Sequence, residues 1–167
     1  MTRLQRVLAN LFGGWFRLRQ RFPSALLDEL ADAVSAGERS HLGEIRFALE
    51  SRLPLRAVLA GLDARLRAQA VFAQLRVWDT EENTGVLIYL LLSEQRIEIV
   101  ADRGIAHRVA QPQWDAICLR MRDAFARAQW REGSLAGIEA VHALLREHFP
   151  ADDRPNPDEL PDRPVLL

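Results

Sequence analysis

Residues 78–105 read W-D-T-E-E-N-T-G-V-L-I-Y-L-L-L-S-E-Q-R-I-E-I-V-A-D-R-G-I. Within them Val86–Leu92 is wholly apolar and shows no alternation, the pattern of a short strand covered on both faces. Ser93-Glu94-Gln95 has the length of a hairpin turn, although it lacks Asn-Gly. Arg96–Ala101 then alternates, with Ile97, Ile99 and Ala101 set against Glu98 and Val100, and gives the second arm of the hairpin. An acidic loop, Asp79–Gly85, leads into the first arm, and Asp102-Arg103-Gly104 leads out of the second.

Upstream, E-I-R-F-A-L-E-S at 44–51 puts Ile45, Phe47 and Leu49 on one side and Glu44, Arg46 and Glu50 on the other. This predicts a strand with one buried face. Pro54 opens a helical region that ends near Trp78, with Leu55, Val58, Leu59 and Leu62 as its stripe and Leu66, Ala70 and Ala73 continuing it. Asp63 is placed to cap a second helix there. That connection is long enough for a parallel, right-handed crossover. The core unit is therefore strand, helix, strand, hairpin, strand.

Helices flank this unit. One is expected over 24–38, on Leu26, Leu27, Leu30, Ala31 and Val34. After a loop at Ile105–Gln113, another runs over about 112–131, with Trp114, Ile117, Cys118, Met121 and Phe125 on one face and Gly133 as its stop. A last helix begins at Ser134 and reaches about 148. The predicted fold is α/β: a three-layer α/β/α sandwich with a small mixed sheet, a parallel β-α-β unit plus an antiparallel hairpin, and flanking helices.

Two segments fall outside the core domain of 23–149. Residues 1–22 are basic and amphipathic, and no acid precedes Asp28. Leu4, Leu8, Leu11 and Trp15 recur at helical spacing, with Gly13-Gly14 expected to bend the helix. Residues 3–21 read either as an interfacial helix on an anionic membrane or partner surface, or as a helix packed on its own domain. Residues 150–167 carry Pro155, Pro157, Pro161 and Pro164, which exclude a helix. They read as a disordered tail, or as an extended segment docked through Val165-Leu166-Leu167.

Composition narrows the function. A net charge of −1 gives no global field towards nucleic acid, so no nucleic-acid partner is expected. All 22 basic residues are arginine, which fits a coding bias. Cys118 is the only cysteine, so one chain can form neither a disulfide nor a cysteine zinc site. No apolar run approaches a membrane span and no signal peptide is apparent, so a cytoplasmic location is expected, with contact at a membrane through 3–21. Trp78, Trp114 and Trp130 read as core or helix-end anchors, and His142 and His148 do not share a helix face.

The candidate site follows from topology. The hairpin places Asp79–Gly85 and Asp102-Arg103 at one end of the sheet, and a parallel first strand brings His41 and Glu44 there too. Asp79, Glu81, Glu82, Asn83 and Asp102 are the candidate metal ligands, since grouped hard oxygens suit calcium or magnesium. The loop is not an EF-hand: its glycine comes one place late, and Leu90 stands where the bidentate Glu belongs. Gly85 and Gly104 allow close backbone approach. Asp102, Arg103 and His107 are the candidate catalytic groups, but no nucleophile motif accompanies them.

The stretch F-A-Q-L-R-V-W-D-T-E-E-N-T-G-V-L-I-Y-L-L-L-S-E-Q-R-I-E-I-V-A-D-R-G-I, followed by F-A-R-A-Q-W-R-E-G-S-L-A-G-I, resembles the TPM domain family of thylakoid-lumen-type and bacterial proteins, also labelled TPM phosphatase. The resemblance spans about 24–148 and is nearest to a short cytoplasmic bacterial form. It implies a compact α/β sandwich. Family members include acid phosphatases, proteins that bind divalent cations and accessory proteins of membrane complexes. Ala101-Asp102-Arg103-Gly104 stands where many members carry a glycine-tyrosine-glycine turn. Two functions are thus expected: a non-catalytic interaction module that takes a divalent cation and a protein partner or membrane-associated complex, or a metal-assisted acid phosphatase. In the second, Asp79, Glu82 and Asp102 would hold the ion and Arg103 the phosphate.

Overall fold

The computed structural model describes residues 2–12, 15–151 and 159–167. The chain order is α1 (Arg3–Phe12), α2 (Trp15–Arg21), α3 (Ser24–Glu38), β1 (Glu44–Glu50), α4 (Leu55–Leu59), α5 (Ala64–Gln74), β2 (Gly85–Leu91), β3 (Arg96–Ala101), α6 (Arg103–Ala106), α7 (Gln111–Ala126), α8 (Trp130–His148) and β4 (Val165–Leu166). The sheet order is β3-β2-β1-β4. β1 runs parallel to β2 from Glu44 opposite Gly85 to Glu50 opposite Leu91, and β2 pairs antiparallel with β3. This is the expected mixed three-layer sandwich.

Strand alternation divides the core in two. Ile45, Phe47, Leu49, Val86, Ile88, Leu90, Ile97 and Ile99 face α3, α7 and α8. Ala48, Leu87, Tyr89, Leu91 and Val100 face the other way, against Val58 of α4 and Ala64, Ala68 and Val71 of α5. Two layers of helix around a four-stranded sheet explain why β2 is apolar at every position.

β1 departs from expectation. Its polar face is not solvated: every residue from Glu44 to Glu50 is buried. Partners distant in sequence make this tolerable, because a buried charge is stable only when paired. Glu50 receives a two-pronged bond from Arg67 at 2.8 and 3.1 Å and the Tyr89 hydroxyl at 2.6 Å. Burial, then the Glu50 charge, hold the Tyr89 phenol well above its usual range. Glu50→Ala strands a buried phenol and an arginine, and is expected to cost about 3 kcal/mol by chemical denaturation; Tyr89→Phe, which leaves the ion pair intact, costs about 1 kcal/mol.

Residues 159–167 take the docked alternative. Val165–Leu166 adds β4 in parallel beside β1, and Leu160 enters the core. Leu160 N–H bonds Glu44 Oε2 at 3.2 Å, and Arg46 donates to the carbonyls of Pro161 and Arg163. These contacts bury the Glu44 and Arg46 side of β1.

Three further expectations are corrected. The stripe on α5 is Ala64, Ala68 and Val71, while Leu66, like Leu59 on α4, is exposed; small residues let the helix sit close on the sheet. Asp63 does cap α5, accepting from Leu66 N at 2.8 Å. Gly133 does not end a helix. It lies inside α8, where a Cβ would stand 2.8 Å from both Ala124 Cβ and Phe125 Cε1, so its glycine serves the α7–α8 contact. The reversal occurs earlier, at Ala128 with φ 59. The loop expected at Ile105–Gln113 is shorter, because Asp102 caps a short helix, α6, that takes in Ile105 and Ala106, and α7 already begins at Gln111.

The basic segment 3–21 divides. α2 puts Leu18 into the core, with Phe22 following, whereas α1 packs beside α4. The bend expected at Gly13-Gly14 lies outside the described residues.

Candidate functional site

Parallel pairing of Glu44 with Gly85, and the bond from Asp102 N to Gly85 O at 2.8 Å, bring the expected segments to one end of the sheet. Both glycines there are required by close backbone approach. A Cβ on Gly85 would lie 1.8 Å from Val77 O, and one on Gly104 would lie 2.6 Å from Asn83 O.

The loop before β2 holds its shape with its own polar groups. Thr80 Oγ1 accepts from Thr84 N at 3.0 Å, and the Thr84 hydroxyl donates to Leu42 O at 2.7 Å. Asn83 adopts φ 55, a left-handed conformation that asparagine tolerates. Its Oδ1 accepts from Arg103 Nε at 3.0 Å. Asp102 Oδ1 caps α6 through Arg103 N at 2.7 Å. Glu81 N donates to the Glu159 carboxylate of the C-terminal segment at 3.0 Å.

The candidate ligands are therefore close in the fold without converging. Among the described residues, no three His, Cys, Asp or Glu side chains form a group that could hold a metal ion. Asn83 and Asp102 each commit one oxygen to shaping the loop. Asp102 Oδ2 is different: it is buried and has no hydrogen-bond partner. Asp79, Glu81 and Glu82 are exposed, as are Arg103 and His107. Trp78, expected as an anchor, is 49% exposed beside these acids. By contrast Trp114 is buried, and Trp130 stacks on Phe125.

His41 and Glu44 lie behind the loop and not on it. Glu44 meets Leu160. His41 is fully buried, with Nε2 2.7 Å from Nδ1 of His142 on α8. Gly43 N–H donates to His41 Nδ1 at 3.1 Å, and His142 Nε2 lies 3.2 Å from Ala33 O. One assignment satisfies all three contacts: both rings neutral, each carrying its proton on Nε2. Burial lowers both histidines, His41 to about 4. Burial raises Glu38, whose Oε1 accepts from Ile45 N at 2.7 Å, to about 9, with Glu44 adding to the shift. No local pattern signals this pair, because its partners are 101 residues apart. Cys118 is packed against the core as expected, and burial pushes its thiol up to about 12, which removes it as a nucleophile.

A mixed sheet sandwiched by helices, with polar loops gathered at one end, defines a compact α/β domain of two cores. A family model for the TPM domain matches residues 20–144, and the chain belongs to that family. Among solved structures it is similar to the BA42 protein from the psychrophilic bacterium Bizionia argentinensis, determined by NMR. Identity is 28% and the TM-score 0.75, over 86% of this chain and 94% of that one. No curated protein matches the chain.

Proposed function

We propose that this TPM domain is a protein-interaction module whose contact surface is the loop from Trp78 to Asn83, and that it receives a basic segment of a partner. The observation that carries this is the division of labour in the loop. Thr80, Thr84, Asn83 and Asp102 spend polar groups on holding its shape, whereas Trp78, Asp79, Glu81 and Glu82 are exposed on it. A rigid exposed tryptophan is a typical energetic anchor of an interface, and surrounding carboxylates steer a basic partner towards it. Neither hydroxyl of the loop is bonded to a base, so neither is prepared as a nucleophile.

The test is a titration of an oligoarginine peptide into the isotope-labelled chain. Amide shifts are expected to concentrate at 78–85 and 102–104. Trp78→Ala should abolish them, and Glu81→Gln with Glu82→Gln should weaken them. Shifts spread over the whole surface, or indifferent to Trp78→Ala, would overturn the module.

The buried, partnerless Asp102 Oδ2 favours a second reading, a divalent cation at the same end of the sheet. Calcium or magnesium would then shift the amides of Asp79–Gly85, and Asp102→Asn would remove the response. Phosphomonoester turnover that needs added magnesium and disappears in Asp102→Asn would replace the module with a metal-assisted phosphatase.

A further inference from the structure

α1 is amphipathic in the opposite sense to an ordinary surface helix. Its inward side is mostly polar, with Val7 packed on the core between Arg6 and Asn10. Asn10 is completely buried, and its carboxamide donates to Glu94 Oε1 at 2.8 Å while accepting from Leu53 N at 2.6 Å and the Ser93 hydroxyl at 2.8 Å. Arg6 makes a two-pronged bond to Glu94 at 2.8 and 2.9 Å and donates to Leu62 O at 2.6 Å. The outward side is apolar. Leu4, Leu8 and Leu11, at positions i, i+4 and i+7, form one stripe and are 69%, 46% and 47% exposed. Arg3 donates to Leu59 O, so the exposed Leu59 of α4 continues the stripe.

Charge identifies the occupant. Exposed Arg3 and Arg56 lie on the packed helices α1 and α4, and exposed Arg52 precedes Leu53, whose N–H bonds Asn10 of α1. The sequence has no carboxylate in 1–27 or in 51–62. Asp63, at the margin of the layer, is engaged as the cap of α5, and Glu94 is neutralised within the network beneath α1. Leucines projecting from a carboxylate-free field of arginine suit the boundary between headgroups and acyl chains of an anionic bilayer. A second copy docked on the same patch would bring like charge against like charge across a two-fold axis. We propose that this face, Leu4, Leu8, Leu11 and Leu59 with Arg3, Arg52 and Arg56, attaches the protein peripherally to anionic lipid. The polar network of Arg6 and Asn10 holds α1 in place, so no helix has to leave the domain for its leucines to enter the interface. This surface is separate from the loop at Trp78, and neither proposal depends on the other.

The experiment is co-sedimentation of the full chain with vesicles of phosphatidylcholine alone and of equal parts phosphatidylcholine and phosphatidylglycerol. Binding is expected to the second only, and to weaken at high salt. Replacing Leu4, Leu8 and Leu11 together by serine should reduce partitioning at least about tenfold, with circular dichroism unchanged because all three are exposed. Arg52→Gln and Arg56→Gln should each reduce it roughly fivefold. Absence of binding by the folded wild-type chain would overturn the proposal. So would binding that survives the triple serine variant, which would be electrostatic adsorption alone. Self-association abolished by that variant, without vesicle binding, would give the face to a second copy and reject the lipid.

Discussion

Gly85→Ala is expected to destabilise the domain by about 3 kcal/mol or more, lowering the melting temperature by roughly 10 °C, the largest effect of any single added methyl group at the sheet end. The cause is backbone against side chain. The new Cβ would stand 1.8 Å from Val77 O and 2.9 Å from Val77 C, and a carbonyl cannot turn away as a long side chain can. Val77 is itself completely buried, and its N–H is bonded to Phe72 O, so the segment cannot retreat cheaply. Gly85 also pairs with Glu44 and accepts from Asp102 N, so moving it disturbs three segments at once. Two controls define the effect. Gly104→Ala meets Asn83 O at 2.6 Å at a half-buried position in α6 and is expected to cost about half as much. Gly61→Ala meets nothing within 4 Å, and its φ of 92 alone makes the cost about 1 kcal/mol. Urea midpoints of the three variants give the order directly. If Gly85→Ala melts with Gly61→Ala, the close approach of Val77 to the strand is wrong. A folded Gly85→Ala chain should also lose the peptide response of the Trp78 loop, because its anchor to β2 has shifted.

Close approach at Gly85 and Gly104 was legible in the sequence because topology alone brings their two segments to one sheet end. β2 was equally legible, since seven apolar residues without alternation admit only a strand covered twice. β1 was not. Its alternation marks two faces but carries no information on whether the polar face meets water. That depended on Arg67, Tyr89 and Leu160, which no local pattern connects to Glu50 or Glu44. The same limit applies to Gly133. A glycine after a helical run is a good stop signal, and it is also what two crossing helices need where they touch. Only the position of Phe125 decides between these. For the site, the location was readable and the roles were not. Asn83 and Asp102 looked like ligands because ligands and loop-shaping residues draw on the same oxygens.

Stability is expected to peak near pH 6.5, and the reason is a pair of opposed buried titrations. Both His41 and His142 are neutral in the fold. A proton on His41 Nδ1 would face the Gly43 N–H, and one on His142 Nδ1 would face the His41 Nε2–H. Arg146 opposes a positive charge on either ring. The folded values lie below the unfolded value of about 6.5, so the unfolded chain takes up protons first as the pH falls. The contribution of the pair is complete above pH 6.5 and is lost as the pH falls below it, for His41 down to about 4. For His41 alone it is on the order of 3 kcal/mol. Glu38 has the reverse sign. Burial keeps its carboxyl protonated up to about pH 9, beside Glu44 and beside Asp162, whose Oδ1 is buried without a partner. Its contribution is complete below pH 4.5 and declines as the pH rises through 9. Between 4.5 and 6.5 His41 and Glu38 nearly cancel, and the lowered His142 tips the balance so that stability climbs. Above 6.5 only Glu38 remains, and stability falls by up to about 1.4 kcal/mol per pH unit. Glu38→Gln keeps an oxygen for Ile45 N and should flatten the alkaline limb and steepen the climb between pH 4.5 and 6.5, where the carboxyl no longer opposes the histidines. His142→Asn keeps an acceptor for His41 Nε2–H, gives up the contact with Ala33 O, and should make the acid limb shallower at a cost of about 1–2 kcal/mol at neutral pH. Urea midpoints measured from pH 4 to 9 separate the two limbs. An alkaline limb that persists in Glu38→Gln would mean that another group carries it. An acid limb unchanged in His142→Asn would mean that the two rings are not the proton-sensitive element joining α8 to the start of β1.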